Sequence, residues 1–325
     1  MEPVIGLAVG LGTGPGLVGA PNRRGGRVPG AQNTGVEGGV GLTALMVAAA
    51  RAIETHRPDA LAGDAYAEHF VRAAGASAAW PVRPAEVPDG DANPLWGRLG
   101  RYFGLRTRVL DDFLVRSAHA GARQVVLLGA GLDARAFRLD WPPGRVIYEI
   151  DRDGVLAFKH HVLDGLAAVP TATRRPIAVD LRDDWIRSLV STGFDPTVPT
   201  AWLAEGLLLY LPPDAERRLI DTVDRLSADG STLAFEVKLG PESPEVRASP
   251  VYVAARQQIG VDLLALFDGE PRPDSVGDLR GRGWSTAIHT PFDFTRHHGR
   301  GPRPEPNDAL ASNRWVFANK PGTHI

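Results

Sequence analysis

The sequence predicts an α/β fold in which a mostly parallel sheet carries helices on both faces. Three observations point there. From residue 124 onward, short apolar runs alternate with amphipathic segments, as strands do when helical crossovers join them. One run, Gln124 to Leu128, passes straight into Gly129-Ala130-Gly131, the kind of strand-to-turn junction found where a parallel sheet meets a ligand. The composition, 43% hydrophobic and 23% charged over 325 residues, is that of a globular chain long enough for one large elaborated domain or two modest ones.

Each element has a local reason. Thr43 is expected to cap a helix running through Ala44, Leu45, Val47, Ala48 and Ile53 to about Thr55, with Pro58 as its stop. Asp64 is expected to open a second helix through Tyr66, Phe70 and Val71, ending near Gly75. A Pro-rich loop from Pro81 to Pro94 then precedes a third helix from about Arg106 to Ala118. Strands follow at Gln124 to Leu128, Val146 to Ile150, Ile177 to Val179, Ala201 to Ala204 and Thr232 to Val237. Pro213 suits the first position of the helix between the last two, with Asp214 and Glu216 in its first turn and Gly230 beyond its end. Val251 to Phe267 reads as helical and available as a lid, and Trp284 to His289 and Arg314 to Phe317 read as closing strands. The expected organisation is a disordered Gly-rich tail over 1–40, a helical cap over 41–120 and a core over 121–325 with an insertion at about 241–283.

The front end contains a misleading signal. Thirteen of the 37 glycines precede residue 42, and Gly14, Gly16 and Gly19 satisfy G-x-G-x-x-G with Glu37 at a suitable distance. That fingerprint works only between a strand and a helix. Here Pro15 and Pro21 bracket it and Gly25, Gly26 and Pro29 follow, so a tail or an early start codon is the better reading. The uncharged run from Pro3 to Asn22 is too rich in Gly and Pro for a membrane span, and Arg23-Arg24 follows rather than precedes it, unlike a twin-arginine signal.

Composition narrows the function classes. The chain has no cysteine, which excludes disulfides, thiolate nucleophiles and cysteine-based metal sites. Its 36 Lys and Arg nearly balance 38 Asp and Glu, so nothing calls for nucleic acid or an acidic membrane. A cytoplasmic enzyme with a small partner is the expectation. His160-His161 and His297-His298 read as solvated pairs rather than metal ligands, because adjacent side chains on a helix diverge by about 100°, the second pair is expected in polar loop and no Cys joins them. No metal is expected, and the chain lacks G-x-S-x-G, Walker and H-E-x-x-H motifs.

The chemistry concentrates around Gly129-x-Gly131, where backbone can approach a ligand closely at the sheet edge. Asp151 stands 20 residues beyond Gly131, just past the second strand, where a carboxylate can accept from both hydroxyls of a ribose. Together they read as a nucleoside site. Spacing leaves nicotinamide dinucleotide and S-adenosylmethionine both open, since Ala134 completes a G-x-G-x-x-A fingerprint. No tyrosine has a lysine four positions later, as a short-chain dehydrogenase would need, and some eighty helical residues come first.

Six runs in order then resemble the leucine carboxyl methyltransferase family, in its actinobacterial S-adenosylmethionine-dependent branch. They are Thr43 to Ala52, Arg106-Thr-Arg108 with Asp111-Asp112-Phe113, Gln124 to Arg135, Tyr148-Glu-Ile-Asp151, Val179-Asp180-Leu181 and Trp202 to Leu211. The resemblance covers about residue 40 to the end. It implies a Rossmann-like class I fold with a mostly parallel seven-stranded sheet, a helical cap and a lid insertion. It implies S-adenosylmethionine as cofactor, with Arg106 holding the methionine carboxylate, Gly129 lining the methionine end and Asp151 on the ribose. Asp180 and Leu181 would flank the adenine, and Glu205 would sit beside the methionine moiety. Arg51 is the local candidate for a basic residue that the family places in its first helix.

The expected reaction is O-methylation of a carboxylate or hydroxyl. A hydroxyl acceptor would need a base, with Glu205 and Tyr210 as candidates. Glu205, set between Ala201-Trp202-Leu203-Ala204 and Gly206-Leu207-Leu208, would be costly to bury without a partner. Asp133 reads as a helix cap. An oxidoreductase and a non-catalytic cofactor-binding protein are the rival readings.

Overall fold

The computed structural model describes residues 35–240 and 242–322. The fingerprint at Gly14 to Gly19, the arginine pair and the tail as far as residue 34 lie outside the described residues.

Seven strands form one sheet: β1 (Gln124–Leu128), β2 (Val146–Asp151), β3 (Thr173–Ala178), β4 (Thr200–Ala204), β5 (Thr232–Lys238), β6 (Ser285–His289) and β7 (Asn313–Asn319). Their order is β3-β2-β1-β4-β5-β7-β6. Pairing is parallel from β3 to β5, and β7 runs antiparallel between β5 and β6. Strand order therefore reverses at β1, with β2 on one side and β4 on the other, and a crevice opens beyond the C-terminal ends of those strands. The predicted sheet is present, with β3 displaced toward its N-terminal side. Thr173 to Pro176 are mostly exposed on this edge strand, and Pro176 is tolerated there because an edge N–H needs no partner.

The apolar run of β1 is buried on both faces. Val125 and Leu127 pack into one hydrophobic cluster, Val126 and Leu128 into the other, as the two-residue period of a strand requires. The first cluster also holds Leu45, Ile53, Phe70, Leu105 and Val109. Those residues come from α1 (Val40–Thr55), α2 (Ala67–Ala73) and α3 (Gly100–His119); along the chain follow α4 (Arg135–Arg138), α5 (Asp153–Gly165), α6 (Trp185–Ser191), α7 (Pro213–Arg225), α8 (Pro244–Arg247), α9 (Pro250–Ile259), α10 (Leu263–Leu266), α11 (Ser275–Gly281) and α12 (Pro291–His298). These N-terminal helices thus share a core with the sheet.

Helix boundaries differ from the sequence reading for local reasons. Thr43 lies inside α1 and its hydroxyl donates back to the Val40 carbonyl at 2.6 Å, so it is not the cap. Val36, ahead of α1, is already buried. Asp64 accepts from the Tyr66 N–H at 3.1 Å, but the helix proper starts at Ala67. α3 begins at Gly100, six residues before Arg106, running on from a π-helical turn over Pro94–Leu99 that the Asn93 side chain caps. The expected helix from Val251 to Phe267 is two: α9 (Pro250–Ile259) and α10 (Leu263–Leu266), after a short α8 (Pro244–Arg247). Gly260 at φ 67° ends α9, a left-handed C-terminal stop that glycine adopts without strain.

Candidate functional site

The crevice is built first from backbone. β1 ends at Leu128, and Gly129 and Gly131 follow with φ of 65° and 48°. A side chain at Gly129 would bring a Cβ to 3.0 Å from Leu207 Cδ1, so glycine is needed for both conformation and space. Four-residue α4 (Arg135–Arg138) opens just beyond. Asp133 accepts from the Arg135 N–H at 2.7 Å and also pairs with the Arg135 guanidinium, but the N-cap position is Ala134, so Asp133 stands one residue ahead of the expected cap.

Asp151 ends β2 beside this turn. One carboxylate oxygen accepts from the Gly131 N–H at 2.6 Å and the other from the Arg152 N–H at 2.7 Å. Burial nevertheless raises its pKa above the ordinary carboxylate value, because the two amides only partly offset desolvation. Each oxygen keeps lone-pair capacity for a further donor.

Beyond β3, the Asp180 carboxylate turns onto its neighbour Arg182, with contacts at 2.7 and 2.9 Å, and that hydrogen bonding lowers its pKa. Leu181 packs against the second hydrophobic cluster.

Glu205 follows β4 and does have partners. It lies 3.0 Å from Arg106 Nε and 2.6 Å from Arg135 Nη1. Burial would raise its pKa, but Arg135 and then Arg106 overcome that and hold it below the ordinary value. Arg106, on α3, meets a second carboxylate, Glu236 of β5, at 2.9 Å. Glu236 also accepts from the Tyr102 hydroxyl at 3.2 Å and the Gly206 N–H at 3.0 Å, and burial pushes its pKa up. Arg106 Nη2 has no hydrogen bond to any described residue. Tyr210 reaches Thr43 of α1 at 3.3 Å, and burial raises its pKa.

The ion pairs extend outward. Arg135, 1% exposed, meets Asp111 of α3 at 2.6 Å as well as Asp133 and Glu205. Arg138 shares Asp111 at 2.6 Å, and Arg51 of α1 pairs with Asp64 at 2.9 Å and donates to the Leu132 carbonyl at 2.6 Å. Arg51 therefore supports the loop after the glycine turn.

The structure thus brings Arg106, Glu205, the turn containing Gly129 and Gly131, and Asp151 at the end of β2 to one sheet edge, with Tyr210 on the loop after β4. The sequence reading missed Arg135 and Glu236 as site residues. A signal existed for both: Glu236 interrupts the apolar run Leu233-Ala234-Phe235, and Arg135 follows Asp133 at a helix start.

Among the described residues, no helix is long and apolar enough to cross a membrane. A family model described as leucine carboxyl methyltransferase matches residues 44–224. A protein of Streptomyces coelicolor, named as a candidate S-adenosyl-L-methionine-dependent methyltransferase, is 70% identical over 292 residues, covering 90% of this chain and 96% of its own. A similarly named Saccharopolyspora erythraea protein is 46% identical over 246 residues, covering 76% and 83%. A crystal structure from Thermobifida fusca, described as a candidate methyltransferase, superposes with a TM-score of 0.48 at 18% identity, covering 78% of this chain and 94% of that one.

Proposed function

The chain belongs to the leucine carboxyl methyltransferase family, and we propose that it methylates an oxygen of an acceptor carboxylate at the expense of S-adenosylmethionine. The family and its close relatives make it an S-adenosylmethionine-dependent methyltransferase; the acceptor class and the residue roles are our reading.

The residues suit the cofactor. The turn at Gly129 and Gly131 has positive φ and can lie close to a ligand, and Asp151 retains acceptor capacity toward a ribose. Arg135 Nη2 is buried without a hydrogen-bond partner, a donor left over in a site that would receive the methionine end. Asp151 would hold the ribose, Asp180 and Leu181 the adenine, and Arg106 the methionine carboxylate through its unused Nη2. Glu205 would lie beside the methionine moiety while keeping Arg106 and Arg135 in place. When bound, the cofactor supplies a methyl group already activated on a sulfonium. The protein's share is orientation and exclusion of water, and alignment alone can lower a barrier by about 7–11 kcal/mol at best.

One observation favours a carboxylate acceptor over a hydroxyl. Glu205, the carboxylate following β4, is held ionised between two guanidinium groups with a lowered pKa, and Tyr210 is shifted up. The first is a weak base and the second keeps its proton, so neither suits removal of a hydroxyl proton near neutral pH. A carboxylate has no proton to remove.

Two measurements test this. Calorimetry should show S-adenosylhomocysteine binding without NAD(P) binding, and the reverse would overturn the cofactor assignment. Methyl label transferred into a cell extract should be released as volatile methanol by alkali, as an ester is. Alkali-stable label would mean an ether and a hydroxyl acceptor.

A further inference from the structure

Two residues past Glu236, Lys238 ends β5, and the strand period puts both on one face. Its ammonium is half-buried among groups supplied by the segment after β5. It pairs with Glu242, lies 3.0 Å from the Tyr252 hydroxyl of α9 and 3.5 Å from the Ala309 carbonyl. The Tyr252 hydroxyl donates to the same Glu242 oxygen, so an ammonium and a phenol converge on one carboxylate oxygen.

The walls are aromatic. Phe267 has its ring 5.2 Å from Lys238 Nζ, 6.4 Å from the Tyr252 ring and 6.0 Å from the ring of Tyr210. The Asp268 N–H donates to the Leu209 carbonyl at 2.9 Å, which fastens this segment to the loop after β4. The cluster therefore adjoins the crevice on the β4 and β5 side, away from Asp151.

Glu242 is an imperfect occupant. Its side chain is only 7% exposed, yet Oε2 is buried with no hydrogen-bond partner. A buried carboxylate oxygen without a donor carries a desolvation penalty that it would shed on returning to water. Tyr252 keeps its proton, since burial and then the Glu242 hydrogen bond raise its pKa, so it remains a donor to any carboxylate placed there.

We propose that Lys238 and Tyr252, walled by Phe267 and Tyr210, form the acceptor's carboxylate clamp, and that Glu242 fills it as an internal surrogate until a small apolar or aromatic carboxylic acid displaces it. This rests on the carboxylate reading above. One acceptor oxygen sits in the clamp and the other is left to react. The donors come from β5 and α9 and the walls from Phe267 and Tyr210, so selectivity is shared by β5, the loop after β4 and the segment after β5.

Benzoate titrated by calorimetry into the full chain saturated with S-adenosylhomocysteine tests the clamp. Benzoate should bind the wild type and bind Glu242→Ala about fivefold or more tightly, because the competitor is gone. Lys238→Met should bind it at least about tenfold more weakly, the scale of a lost charge-assisted hydrogen bond, and Tyr252→Phe should fall between. Neutral benzamide should bind the wild type more weakly than benzoate. S-adenosylhomocysteine affinity within twofold of wild type in all three variants shows that each has folded. Benzoate affinity unchanged in both Lys238→Met and Glu242→Ala would overturn the clamp, as would equal binding of benzamide. A pentapeptide with a free C-terminus that binds tighter than benzoate would overturn the small-acid assignment. Failure of S-adenosylhomocysteine to bind the wild type would instead overturn the cofactor reading.

Discussion

The two sides of the crevice are built differently. On the β2 side, Gly129, Gly131 and Asp151 lie within 23 residues of one another, and Asp151 is held by backbone amides. On the β4 side, Glu205, Arg106, Arg135 and Glu236 come from four separate segments, and the contacts that join them to one another are between charged side chains. One side is made by chain shape and the other by assembly. The electrostatics depend on the nearest cation: burial raises the pKa of Asp151 and of Glu236, whereas adjacent guanidinium groups lower those of Glu205 and Asp133.

The largest predicted effect strikes the assembled side. Arg135→Gln leaves Asp111, Asp133 and Glu205 without their common cation. Removing one partner from a buried ionic group costs about 3–5 kcal/mol, so urea denaturation should show a loss of that size. Wild-type stability in the variant would mean that the network contributes little and that the two sides are energetically alike.

Next comes a loss of binding on the side made by chain shape. Asp151→Ala removes the acceptor that the proposed cofactor site offers to two ribose hydroxyls, each a charge-assisted bond of about 1.5–3 kcal/mol. S-adenosylhomocysteine affinity measured by calorimetry should fall at least about 100-fold, with only a modest change in stability. Affinity should also weaken as pH falls through the raised pKa of Asp151, because a protonated carboxyl accepts less well. Retained binding in Asp151→Ala would remove the nucleoside assignment.

This contrast explains what was legible. β1, β4 and β5 were readable to within a residue or two because apolar runs between glycines and prolines admit few alternatives. The candidate site on the chain-shaped side was proposed from the same kind of signal: a strand, a glycine turn and a carboxylate at a fixed spacing form a local pattern. Glu205 was recognisable as a residue needing a partner, but its partners were not, since Arg135 lies 70 residues away and no local rule joins them. Glu236 was hidden because a carboxylate near a strand end is usually solvated, and only the Tyr102 and Arg106 contacts make it part of the site. The start of α3 was missed because glycine at residues 100 and 104 reads as loop. In the fold, Gly104 is needed so that Glu54 can pass: a Cβ there would lie 2.6 Å from its carboxyl carbon.

A smaller effect separates two carboxylates of the crevice by pH. Asp133 has a folded pKa of about 2 against an ordinary 3.8; burial opposes the drop and Arg135 produces it. A carboxylate depressed on folding contributes stability that is complete above about pH 4 and lost as pH falls toward 2, here roughly 2 kcal/mol. Asp151 acts in the opposite sense, because its pKa is raised on folding and its ionised form opposes folding. Denaturation midpoints of wild type and Asp133→Asn, followed from pH 5 to pH 2, should converge as the pH falls. Parallel curves would mean that Asp133 gains nothing from Arg135.

The smallest effect sets the zero of the comparison. His297, on α12 (Pro291–His298), makes a ring contact with its neighbour His298, at 4.9 Å, and lies on neither side of the crevice. Substitution of an exposed side chain outside cores and ion networks changes stability by within about 0.5 kcal/mol. His297→Ala should therefore leave both the urea midpoint and S-adenosylhomocysteine affinity at wild-type values, and a tenfold loss of affinity would place α12 in the site. An unchanged variant, measured beside Asp151→Ala and Arg135→Gln, assigns their losses to the two constructions of the crevice rather than to a fold intolerant of any substitution.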